Sequence, residues 1–239
     1  MVSGGVRRVL RRQRPSCIMR EERTKLIPAL GSALFVRADS IYKTMGLDCW
    51  DAERDAQTWT GGSTVIAHPP CRTWSRLAPC VTRARPGEKE LAPWAVEQVQ
   101  KWGGVLEHPA GSKLFAHCNL PEAGGFPDKH GGIVIEVNQW HWGHRARKMT
   151  KLYIVGASSI PAMPVRQGKP THCVTQGKGV RIGHPLFLPR IPDWEREATP
   201  PAFAQFLVEI ATSCGQNATR SDEAIKPNSE AGFVDGGAS

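Results

Sequence analysis

The sequence predicts an α/β fold, a mainly parallel sheet with helices on both faces. Two observations carry that prediction: short apolar runs that end in turn residues, and helix-like stretches between them. Ala33 to Val36 reads as a strand whose trailing loop reaches Asp39, and residues 40–46 as a short helix. Leu47 to Trp50 is a second strand. Thr64 to Ala67 is a third, and it runs straight into Pro69, Pro70 and Cys71. Over residues 87–101, Leu91, Trp94, Ala95, Val99 and Trp102 recur at the three-to-four spacing of a buried helix face. Gly103 and Gly104 stop that helix, and Val105 and Leu106 open the next strand. Lys151 to Val155 is a late strand closed by Gly156. A last apolar helix spans 199–212, entered through Pro200 and Pro201, where proline suits a first turn.

The folded part reads as one catalytic domain over residues 26–214. Residues 1–25 read as a disordered basic arm carrying Arg7, Arg8, Arg11, Arg12 and Arg14, and 215–239 as a disordered polar tail. The arm is either a phosphate-seeking tail or a bland extension upstream of a true start at Met19. The net charge of +9 favours a polyanionic partner. No apolar run approaches the length of a bilayer span, and the first residues lack a secretory h-region. A cytoplasmic protein with no membrane partner is expected. The seven cysteines are odd in number and contain no Cys-x-x-Cys, which argues against a disulfide framework and a zinc ribbon. No metal is expected.

In sheets of this kind, reactive groups stand just past the carboxyl ends of the strands. Asp39, Cys71 and Glu107 occupy such places. A lone cysteine is usually a packing residue. A cysteine delivered by Pro69 and Pro70 from a buried strand is instead held out on a stiff loop, where a thiolate can act as nucleophile. His68 and Arg72 flank it and are expected to lower its pKa. Glu107 follows the next strand and precedes Pro109. Burial there would raise its pKa and let it donate a proton or hydrogen bond.

Four segments in chain order resemble the DNA cytosine-C5 methyltransferases. Pro70-Cys71-Arg72-Thr73-Trp74-Ser75 is similar to that family's Pro-Cys-Gln-x-Phe-Ser loop, with Arg72 for Gln and Trp74 for Phe. Val105-Leu106-Glu107-His108-Pro109 resembles its strand ending in Glu-Asn-Val. The stretch from Gly143 to Gly156, with Arg145 and Arg147, resembles its Gln-x-Arg-x-Arg segment and following strand. The helix from Thr199 to Ala211 resembles its Val-Pro-Pro helix. The resemblance implies a Rossmann-like methyltransferase fold, and the compact size suits a phage-encoded member acting in the host cytoplasm. It implies that Cys71 adds to C6 of a flipped-out cytosine and that Glu107 contacts N3 and the exocyclic amine. Arg145 and Arg147 would hold phosphate or base. S-adenosylmethionine would be the methyl donor, near Asp39, Asp51 and Pro70, and DNA the partner.

Two departures qualify this. The family's opening Phe-x-Gly-x-Gly turn is missing, so the cofactor region is reduced. Only about forty residues, rich in Pro, Gly, Lys and Arg, separate Gly156 from Thr199. Arg166, Lys169, Lys178 and Arg181 there could touch phosphates, but the region is very small for reading bases. These departures keep two alternatives open: a pyrimidine-nucleotide C5 enzyme with another one-carbon donor, and an inactive DNA-binding relative. Trp140 and Trp142 read either as core or as base-stacking residues.

Overall fold

The computed structural model describes residues 30–75, 78 and 84–223, with side chains through residue 214. A six-stranded sheet forms the middle layer. Its strands are β1 (Ser32–Leu34), β2 (Asp48–Trp50), β3 (Val65–Ala67), β4 (Gly104–Pro109), β5 (Ile133–Asn138) and β6 (Met149–Val155), in the order β2-β1-β3-β4-β6-β5. The helices are α1 (Leu91–Trp102), α2 (Leu114–His117), α3 (Asp193–Glu197) and α4 (Pro201–Glu223).

β1 to β4 are parallel, as expected, but β6 runs antiparallel between β4 and β5. The sheet is therefore mixed, which corrects the mainly parallel expectation. The cause is local. Residues 139–148 are too few to carry a crossover helix, so β6 must return beside β5 in the opposite direction. The run Ile133-Val134-Ile135-Glu136-Val137 carries the branched residues of a strand, a signal the sequence reading passed over.

Period-two alternation splits the core into two layers. On one face Ala33, Ile66, Val105, Leu152 and Ile154 pack against Phe203, Leu207 and Ile210 of α4. On the other, Leu34, Val65, Leu106 and Tyr153 pack against Ala92, Ala95, Val96 and Val99 of α1. α1 stops at Gly103, whose N–H bonds the Val99 carbonyl at 2.9 Å. Gly104 then lies against the Val65 backbone, where an added Cβ would come within 2.0 Å of the Val65 carbonyl oxygen. Only glycine lets β4 approach β3 that closely.

α4 continues to Glu223, so the expected domain end at residue 214 falls within it. The basic arm, the remaining tail and Cys80 lie outside the described residues. Among the described residues, no helix is long and apolar enough to cross a membrane, and no cluster of three His, Cys, Asp or Glu could hold a metal.

Candidate active site

β1 is flanked by β2 on one side and β3 on the other, so the chain reverses its direction of travel between β1 and β3. Such a switch point opens a crevice at the carboxyl ends of the strands. A cavity of about 410 Å³ lies there, within the range of small-molecule sites. Phe35 and Asp39 after β1, Pro70 and Cys71 after β3, and Glu107 at the end of β4 all line it. Five residues drawn from three parallel strand ends therefore share one cleft.

Cys71 sits between the end of β3 and a 3-10 turn at Arg72–Trp74. Trp74 anchors that turn: it is buried, and its indole N–H donates to the Lys89 carbonyl at 3.0 Å. The thiol itself is free. Its pKa is raised, not lowered. Burial pushes it up and the Glu107 charge adds to that, with Lys148 pulling the other way. The expected help from its neighbours is not given. Arg72 pairs with Glu88, Nε to Oε1 at 2.8 Å, and the His68 ring turns to other partners.

Those partners form a buried polar chain. Glu107 Oε2 lies 3.1 Å from His68 Nδ1, and His68 Nε2 lies 3.0 Å from the Tyr42 hydroxyl. On the other side, Gln139 Nε2 donates to Glu107 Oε1 at 2.9 Å and to Thr150 Oγ1 at 3.0 Å. Burial alone would raise the Glu107 pKa. The Lys148 charge, the His68 hydrogen bond and the His68 and His108 charges outweigh it and hold the carboxyl at about 2. Glu107 is therefore ionised at neutral pH, which corrects the expectation of a proton donor. An ionised carboxylate only accepts, so His68 donates to Glu107 from Nδ1, while its Nε2 meets the Tyr42 hydroxyl. Burial, reinforced by the Glu107 charge, holds the Tyr42 hydroxyl well above the usual tyrosine range. His108 is fully buried beside Glu107, and burial pushes it down to about 4, so its ring is neutral.

Lys148 lines this cleft along with Arg37, Arg72 and Arg196, and it is the cation whose charge acts on both Cys71 and Glu107. Arg145 and Arg147 do not line the cleft. Arg145 makes a two-pronged ion pair with Glu195 of α3, with Nε to Oε1 at 2.9 Å and Nη2 on Oε2, and Arg147 is exposed. The signal for Lys148 lay in the pleat of β6. Lys148 is in phase with Thr150 and Leu152, and Leu152 is the register partner of Glu107. Tyr42 and Gln139 were missed because their burial and partners come from pieces distant in sequence. Trp140 and Trp142 are buried core residues, Trp142 against Phe203 and Phe206.

The cofactor positions do not assemble as the resemblance implies. Asp39 lines the cleft, but Arg37 engages both its oxygens, at 2.8 and 3.0 Å. Asp51 is outside the cleft. A 2.7 Å bond from Lys43 holds its pKa at about 2, and it also accepts the backbone N–H groups of Arg54 and Glu53. Where a glycine turn would follow β1, Phe35 takes a left-handed φ of 59° and packs edge-on against Trp94. A bulky residue there stores strain where glycine would not. Pro70 lines the cleft and supplies no donor. These residues do not fit an S-adenosylmethionine cradle. No family model, curated protein or solved structure matches this chain.

Proposed function

We propose that this chain is an enzyme that modifies cytosine in DNA at C5 through a covalent adduct on Cys71. The observation that supports this most is the shared cleft of a free thiol and an ionised, immobilised carboxylate on adjacent parallel strand ends. The thiolate adds to C6, and its electron pair flows into the ring and makes C5 nucleophilic. Glu107 accepts from the exocyclic amine. A fixed negative charge there disfavours a ring that presents a carbonyl instead, as uracil and thymine do. The resting thiol is protonated, since burial and the Glu107 charge both oppose ionisation. An amine donating to Glu107 draws off part of that charge, so substrate binding favours the attacking form. Base flipping or an unpaired strand is required, because C6 cannot be reached in a stacked duplex.

Methylation from S-adenosylmethionine is the reaction the resemblance implies. The poor fit of Phe35, Asp39 and Asp51 to that cofactor favours a second reading, in which the same ring activation serves another one-carbon donor on a free nucleotide. A donor-independent assay tests the shared core. Addition at C6 exchanges the C5 hydrogen with water, so an oligonucleotide with tritium at C5 of cytosine should release label. Cys71→Ser should abolish release while the fold persists. Equal release by Cys71→Ser, or none from the native chain up to alkaline pH, would sink the reading. Labelled S-adenosylmethionine and labelled dCMP then separate the two donors and substrates.

A further inference from the structure

We propose that α3 and the segment before it form a docking surface for single-stranded nucleic acid. The proposal deepens the reading above, because it says how the strand carrying the target base is held. Residues 157–192 contain five Lys or Arg and no Asp or Glu. One of the five, Arg166, is used internally: it stacks 4.7 Å over the Trp140 ring and donates to the Trp140 and His144 carbonyls. Among the described residues, the side chains of Lys169, Lys178, Arg181 and Arg190 form no ion pair or hydrogen bond. Uncompensated cations on an acid-free stretch are suited to phosphates.

Lys178 and Arg181 are connected to α3 at the cleft through the stem of their loop. Cys173 N–H donates to the Pro189 carbonyl at 3.0 Å, and Ile191 N–H to the Cys173 carbonyl at 3.1 Å. Lys178 and Arg181 thus ride on a closed loop whose base is Ile191, just ahead of α3. On α3, Trp194 lines the cleft with 61% of its surface exposed. Its backbone is pinned, since Arg37 donates to the Trp194 carbonyl, Arg145 holds Glu195, and Glu197 pairs with Arg37. α3 has no buried residue, so the ring serves no core. A fixed backbone presenting an uncovered indole at the mouth of a cleft is a stacking platform.

Cations for the backbone and an aromatic face for the bases are the combination by which single strands are held. Reading a duplex in the major groove calls for a helix or a two-stranded ribbon. Residues 157–192 have neither, only isolated bridges at His172 and Cys173. An unpaired base also reaches Cys71 without the cost of unstacking.

The test uses the full-length protein, so the basic arm is the same in every variant. The probe is a fluorescent oligothymidine of about twelve nucleotides, within the span of single-strand sites. Binding should be tighter to the single strand than to its duplex with oligoadenosine. Trp194→Ala should weaken it about 5–150-fold, the loss of one base stack, and Trp194→Phe should keep most of it. Lys178→Ala with Arg181→Ala should flatten the salt slope by about 1.4, at roughly 0.7 per phosphate contact. A duplex preference, or unchanged affinity and slope in the variants, would overturn the proposal. The tritium assay separates it from the C5 reading. Binding that behaves as expected without exchange leaves the surface and removes the reaction. Exchange with native KM in all these variants does the reverse.

Discussion

Replacing Glu107 by Gln removes one charge and keeps the shape, and it asks whether the polar chain holds a carboxylate or a carboxylic acid. The Glu107 pKa falls from its ordinary 4.5 to about 2 on folding. That difference is worth about 3 kcal/mol of stability. The sign follows from the depressed folded pKa. The contribution is fully present above the unfolded pKa of 4.5 and is lost as pH falls through about 2. Glutamine does not titrate, so Glu107→Gln forfeits this term at neutral pH and has nothing left to lose in acid. The assay is urea unfolding of both proteins at several pH values, followed by tryptophan fluorescence; guanidinium chloride would screen the charges under test. The native chain should lead by about 3 kcal/mol at pH 7, and the lead should shrink to below about 1 kcal/mol near pH 2. A lead that is the same at both pH values would show that Glu107 is not held ionised, and the preference for an amine-bearing base would go with it.

Two further outcomes follow from the same geometry. Glu107 raises and Lys148 lowers the Cys71 pKa, so Glu107→Gln should speed and Lys148→Gln should slow alkylation of Cys71 by iodoacetamide at pH 8, read on its own peptide by mass spectrometry; changes of the same sign would refute the electrostatic account. Leu207 is fully buried against the sheet, so Leu207→Ala should cost about 2–5 kcal/mol. C5 exchange per folded molecule should be unchanged, and a loss of stability under 1 kcal/mol would contradict the core assignment.

The strand ends were legible because each carries its own punctuation. Pro69 and Pro70 mark where β3 stops, and Gly103 and Gly104 mark where α1 gives way to β4. Period and breakers are local signals, so Cys71 and Glu107 could be placed on one edge without coordinates. The sign of their ionisation was not legible. It depends on burial, on the Lys148 charge and on the His68 hydrogen bond to Glu107, and Lys148 and His68 are distant from Glu107 in sequence and meet it only through the packing of the strands. Flanking charges misled for the same reason: Arg72 and His68 are next to Cys71 in the chain but spend themselves on Glu88, Glu107 and Tyr42. The antiparallel return of β6 was missed with β5, since a strand without its partner gives no direction.

The left-handed turn at Phe35 after β1 and the short segment before α4 are joined through one residue, Arg37. A glycine turn after β1 would leave its backbone open to a ligand's phosphate or ribose. Here Arg37 stands in that loop and reaches across to α3, through the Trp194 carbonyl and Glu197, while holding Asp39 with the rest of its guanidinium. In this chain the loop after β1 fastens α3. With few residues available between β6 and α4, α3 buries nothing of its own and needs these outside anchors to stay over the cleft. A chain without Arg37 in this loop would lose the anchor and with it the fixed position of Trp194. The place of Trp194 at the cleft therefore rests on Arg37 in the loop after β1, while Cys71 and Glu107 reach the same cleft from β3 and β4.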